Sequence, residues 1–208
     1  MSQPRRPQPV KLVMSFIYAE AEALKQVLRF TGGQYGPIDF LSEPFPFDFT
    51  RYYEPEMGKP LERRIASFEN LIDPGDLPRI KHWTNQLEDQ FRNDRQGRRV
   101  NIDPGYIGAS KFILATGKDY SHRIYLGDGI YGDLTLRVRE GGFHPLPWTY
   151  PDYAGEPLRK VLNLLRKKYL WQLKNPHRGE NAEPSRISKK EEGASKGDTG
   201  GAFGAAGL

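Results

Sequence analysis

Apolar residues follow one another almost without a break from Lys11 to Ala19, which predicts a strand buried on both faces. From Glu20 the spacing changes. Ala21, Leu24, Val27 and Leu28 share one side of a helical turn, so Glu20–Phe30 reads as a helix stopped by Gly32-Gly33. Pro37–Ser42 starts a second strand, and the proline-broken stretch after it reads as an irregular loop or an edge strand. Leu61–Glu69 alternates loosely and reads as a third strand. Asp73-Pro74-Gly75-Asp76 marks a turn and a helix start, after which Leu77, Ile80, Thr84, Leu87 and Phe91 draw one stripe to about Arg92. Arg98–Asp103 is a short strand running into an Asp-Pro-Gly turn, and Ala109–Thr116 reads as a short helix with Ser110 near its cap. His122–Leu126 and Asp133–Glu140 pair as a hairpin about Gly127-Asp128-Gly129. Leu158, Val161, Leu162, Leu165, Tyr169 and Leu173 form the apolar stripe of a last helix, Glu156–Lys174.

The order as far as Ile102 is β-α-β-β-α-β, which suggests a ferredoxin-like core: an antiparallel sheet with its helices on one face. The later helix, hairpin and C-terminal helix would extend it. The fold class read from the pattern is α+β. The expected organisation is a flexible basic leader over 1–9, a single domain over 10–174 and a disordered tail over 175–208, where Gly, Ser and mixed charge replace apolar residues.

Composition narrows the picture only in places. The 208 residues include 11 Phe, 11 Tyr and 3 Trp, enough for a packed core. Cysteine is absent, which removes disulfides, thiolate metal sites and cysteine nucleophiles, and suits a reducing cytoplasm. No apolar run near the N-terminus approaches the roughly 20 residues of a membrane span. Net charge is +5. The positive and negative side chains after Asn175 cancel, so the surplus belongs to residues 1–174 and permits an anionic ligand or RNA without demanding either. The phosphate loop GxxxxGK[ST] and the HExxH pattern are missing, which argues against an ordinary nucleoside triphosphatase and a zinc protease.

Chemistry-bearing residues concentrate in four strings: Glu43–Gly58 (EPFPFDFTRYYEPEMG), Asn101–Lys111 (NIDPGYIGASK), Lys118–Leu126 (KDYSHRIYL) and Phe143–Tyr153 (FHPLPWTYPDY). Rings, prolines and charges at such close spacing suit the rim of an aromatic cleft. In the second string, a helix starting at Ser110 with Lys111 beside it would bind an anion through free N–H groups. In the third, alternation along a strand lets either His122 or Arg123 face a cleft. Glu43, Asp48, Glu54 and Glu56 are candidate ligands for a hard cation, without diagnostic spacing. The last helix carries Arg159, Lys160, Arg166, Lys167, Lys168 and Lys174 on a one-sided basic face, a candidate RNA contact.

Taken together, GPIDFLSEPFPFDFTRYYEPEMG (Gly36–Gly58), NIDPGYIGASK, TGKDYSHRIYLGDGIYGD (Thr116–Asp133) and HPLPWTYPDY (His144–Tyr153) resemble the prokaryotic domain-of-unknown-function family 4416 from about Pro9 to Lys174. The resemblance implies a single-domain cytoplasmic protein. It brings no activity, cofactor or catalytic residue. Relatives of this kind are sometimes labelled GTP-binding, and no motif here supports that label.

The expected function is binding of a small anionic molecule, such as a nucleotide or phosphorylated metabolite. Lys111, Arg123 and Ser110 would hold it, His122 or Asp103 would transfer a proton, and Tyr106, Trp148 and Tyr150 would wall the cleft. The alternatives are an RNA- or ribosome-associated module and a protein–protein adaptor.

Overall fold

A run of apolar residues can only be buried on both sides if it lies inside a sheet, and β1 (Val10–Tyr18) does so: all nine residues are buried. The computed structural model describes residues 3–176. Among them, β1 sits at the centre of one antiparallel sheet, flanked by β4 (Glu62–Ile72) and β5 (Val100–Ile107). Outside β4 lie β2 (Ile38–Leu41) and β3 (Phe45–Pro46). On the other side β6 (Lys111–Thr116), β8 (Ile130–Arg139) and β7 (Arg123–Gly127) continue the sheet, with β9 (Gly142–Pro145) paired to β8.

Alternation along β1 sends Leu12, Met14, Phe16 and Tyr18 to one face. There they pack on α1 (Ala21–Tyr35) and α3 (Leu77–Gln90) through Leu24, Val27, Ile80 and Leu87. Val13 faces the other way and joins Ile65, Ile107, Phe112 and Leu136 under α5 (Glu156–Lys174), through Leu158, Leu162, Leu165 and Tyr169. The two helices of the β-α-β-β-α-β stretch, α1 and α3, therefore share one face and the added helix α5 covers the other, because β1 and β4 are apolar on both sides and each side needs cover. Short helices α2 (Glu54–Met57) and α4 (Pro151–Ala154) lie beside the sheet.

The structure differs from the sequence pattern in three further places. Helix α1 runs through Gly32-Gly33 and stops at Gly36, whose φ of 94° no residue with a Cβ takes easily and whose N–H bonds Gly32 O at 3.0 Å. Asp103-Pro104-Gly105 is not a turn but lies inside β5. Ile102 turns its N–H and C=O away from β1, and Pro104, two residues on, does the same; β6 begins pairing only at Gly105, so the missing proline N–H costs no ladder bond. Gly105 is required by close packing: a Cβ there would lie 2.4 Å from Ile113 O. The expected helix over Ala109–Thr116 is β6. Phe112 packs under α5 while Ile113 and Ala115 pack on the opposite face, and a short run buried on both sides looks the same in sequence whether it is helix or strand. The expected tail lies, beyond Pro176, outside the described residues.

Candidate functional site

The free edge of β5 sets up the first polar cluster. Between Val100 and Asp103 this strand has no neighbour beyond β1 among the described residues, so Ile102 needs other partners. Glu88 Oε1 accepts its N–H at 2.8 Å and Lys81 Nζ donates to its C=O at 2.9 Å. Lys81 and Glu88 both fall on the buried stripe of α3, seven residues apart. Around them, Arg98 clamps both oxygens of Glu56 at 2.5 and 3.1 Å, lies 3.4 Å from Glu88 and donates to Asn101 at 2.8 Å. Asn101 donates in turn to Asp103 at 2.7 Å, and Lys81 Nζ lies 3.6 Å from the other Asp103 oxygen.

Burial pushes the Glu88 carboxyl up to about 7, against the opposing pull of Lys81 and the Ile102 amide. Its folded value lies above the ordinary 4.5 of an unfolded chain. Its share of stability is therefore whole below about 4.5 and is lost as pH rises through 7, a change of roughly 3 kcal/mol. Melting temperatures should fall between pH 5 and pH 8, and Glu88→Gln should flatten the profile in that window. A profile unchanged by the substitution would refute the assignment.

The second cluster sits on the face that α5 covers, where Ile17, Ser15, Arg63 and Asp103 come from adjacent strands in register. Arg63 is 4% exposed, and its guanidinium carbon lies over the rings of Phe47 and Tyr153 at 4.7 and 4.8 Å. Its Nη1 is 2.8 Å from Asp152 Oδ2, close enough for an ion pair but outside hydrogen-bond alignment. Arg63 Nε and Nη1 and Asp152 Oδ2 are thus buried without an aligned hydrogen-bond partner among the described residues, and Tyr153 OH and Ser15 Oγ are buried beside them. Such groups are few in native proteins, and each calls for a physical reason. Burial raises the Asp152 carboxyl against the opposing Arg63 charge, and it raises the Tyr153 phenol likewise.

A cavity of about 150 Å3 opens beside this pair. The β3 segment contributes Phe45, Phe47 and Phe49, the first turn of α5 contributes Pro157 and Leu158, and Arg63 and Asp152 supply the charges. That α5 turn has no side-chain cap, so its end keeps unbonded N–H groups.

The third cluster lies two strands from β5. Asp133 Oδ2 accepts from Arg123 Nε at 2.9 Å and is 3.3 Å from His122 Nε2, while Thr135 donates to Oδ1 at 3.2 Å. The His122 ring stacks between Tyr120 and Trp148, with centroids 6.1 and 5.2 Å away. Trp148 Nε1 donates to Leu134 O at 2.9 Å.

The structure thus brings His122, Arg123 and Trp148 together and leaves the other candidates elsewhere. Asp103 is on the same sheet face but belongs to the β5 edge cluster. Ser110 and Lys111 are exposed at the opposite end of β6 from Arg123. They do not sit at a helix start, because residues 108–110 are the short connection between β5 and β6, with Gly108 N–H donating to Lys111 O at 2.9 Å. Tyr106 packs on the opposite face with Val10, Leu77 and Ile130. Tyr150 is exposed where α4 begins. Of the candidate cation ligands, Glu56 is taken up by Arg98, and no group of three His, Asp or Glu is placed for a metal among the described residues. The basic face of α5 is largely tied down: Arg159 bonds Ala154 O, Arg166 bonds Ala109 O, Lys168 bonds Asp39 and Lys160 pairs with Glu156.

Arg63, Asp133, Glu88 and Ser15 are the residues that sequence reasoning passed over. Lys81 and Glu88 carry a usable signal, since they continue the helical stripe of α3 at i+4 from Leu77 and Thr84. Arg63 carries a weaker one: it shares strand parity with Ile65 and Ser67, yet its neighbour Arg64 gives the same appearance on the other face.

One family matches residues 8–169 of the chain, with the description Domain of unknown function (DUF4416). No curated protein and no solved structure matches. No helix among the described residues is long and apolar enough to cross a membrane.

Proposed function

The chain belongs to the family described as Domain of unknown function (DUF4416), a membership that carries no activity, and we propose from the site alone that it binds a small anionic molecule in the phenylalanine-walled pocket over Arg63. One observation carries the reading: a guanidinium at 4% exposure keeps two nitrogens without a hydrogen-bond partner beside a cavity. A buried donor left unpaired is costly, on the order of 1–3 kcal/mol, and a bound acceptor recovers that cost. The uncapped first turn of α5 favours negative charge at the same spot. The anion thus finds its aromatic walls in Phe45, Phe47 and Phe49, not in Tyr106, Trp148 and Tyr150. A cytoplasmic setting belongs to the same proposal, since a chain without cysteine suits a reducing compartment.

Thermal melts with benzoate, phenyl phosphate and benzylamine at pH 7 test it. At a concentration ten times its dissociation constant, an anionic probe should raise the melting temperature by about 3–5 °C. Benzylamine should not, and Arg63→Lys should abolish the shift. A shift from the cation, the lack of a shift from either anion, or a shift retained in Arg63→Lys would each rule the reading out.

A further inference from the structure

We infer that the anion is a monocarboxylate with a flat apolar body, held with one proton shared between its carboxylate and the Asp152 side chain. This rests on the Arg63 pocket being the binding site. Size limits the body first. A cavity of about 150 Å3 is the size of an apolar hole that takes a single benzene ring, so a nucleotide or sugar phosphate does not fit inside it. Lining limits the body next: Phe45, Phe47, Phe49 and Leu158 offer rings and methyl groups, and the polar side chains, Arg63 and Asp152, are gathered at the head-group end.

Charge then limits the head group. Among the described residues Arg63 is the only cation lining the pocket, and Asp152 already lies 2.8 Å from it. The pair is neutral before anything binds. A phosphate monoester would bring close to two negative charges into a buried place with one guanidinium already matched. A carboxylate brings one, and a single proton cancels it. Two buried carboxylates side by side do not both ionise; they titrate as a pair with one proton held between them. Asp152 is 3% exposed, so that proton is kept from water. The charged or titratable groups whose influence reaches Asp152 are Arg63 from β4, Asp103 from β5 and Tyr153 from α4 itself. Asp103 adds negative charge and so also favours the shared proton. Burial already raises the Asp152 carboxyl in the free protein, in the direction this pairing needs.

Binding then takes up one proton from solution. Isothermal titration with benzoate and with phenyl phosphate at pH 6, 7 and 8 reads this directly. Benzoate should bind about tenfold more weakly for each pH unit gained, and phenyl phosphate should bind at least tenfold more weakly than benzoate at pH 6. Asp152→Asn, which needs no shared proton, should make benzoate binding independent of pH. Phe49→Glu tests the place without touching the core: Phe49 is 52% exposed, and a carboxylate at the mouth should weaken benzoate at least tenfold. Tighter binding of phenyl phosphate than benzoate, lost in Phe49→Glu, would overturn the carboxylate assignment and leave the anion pocket standing. Benzoate affinity that is flat from pH 6 to 8 in the unmodified chain would overturn the shared proton. Binding of neither probe would remove the pocket and the inference together.

Discussion

Replacing Arg63 by methionine is expected to cost about 3–5 kcal/mol of folding stability at pH 8, read from urea denaturation. The reason is what remains. Asp152, with a side chain 1% exposed, would keep only the N–H of Tyr153, donated at 2.6 Å, and would lose its one counter-charge. Phe47 and Tyr153 would also lose the guanidinium that lies over their rings. Two controls separate this from ordinary damage to packing. Burial already raises the Asp152 carboxyl, so in the variant it protonates more readily, and the loss should shrink as pH falls toward 5. The double variant Arg63→Met/Asp152→Leu should recover most of the loss, because a buried pair replaced by apolar groups of similar volume is close to neutral. A loss that does not vary with pH and is not rescued by the second substitution would mean that the charge argument fails.

Asp39→Leu should bring a loss of similar size, about 3–5 kcal/mol, at the far end of the same face. Lys11 is 0% exposed. Its ammonium meets Asp39 at 2.5 Å and Gln172 of α5 at 2.8 Å, and Asp39 also accepts from Lys168 at 2.9 Å and Ser67 at 2.5 Å. One carboxylate therefore joins β1, β2, β4 and the end of α5. Without it, a lysine inside the protein keeps a single neutral partner. Burial alone would raise the Asp39 carboxyl, but the hydrogen bonds from Lys11, Ser67 and Lys168 outweigh it and hold the group below the usual range. Its contribution is thus present above about pH 4 and is lost as pH falls through the depressed folded value. Lys11→Met/Asp39→Leu should restore most of the stability. If Asp39→Leu alone melts within 2 °C of the parent at pH 7, the network does not hold α5 in place.

Both networks pair one residue from a strand with one far along the chain: Arg63 with Asp152, Lys11 with Asp39 and Gln172. The sequence shows each residue type but not the pairing. The same limit governs the candidate site. His122, Arg123 and Trp148 were legible because aromatic and charged residues crowd their strings, and they do meet, around Asp133. Lys111 and Ser110 were misplaced by a single local ambiguity. KFILAT satisfies a short helix and a strand buried on both faces equally well, and as a strand it carries Lys111 to the far end from Arg123. The same change moves Tyr106 into packing on the α3 side.

The α+β class, the strands β1, β4 and β8, the helices α1, α3 and α5 and the hairpin between β7 and β8 follow from residue spacing alone, because each is set by periodicity and turn residues within a few positions. The division of helices between two faces, the bare β5 edge held by Lys81 and Glu88, and the unpaired nitrogens of Arg63 beside a small apolar hollow do not. They arise when segments as distant as β1, β4 and α4 close on one another. Burial and the lack of a partner are properties of the assembled surroundings and not of any stretch of chain.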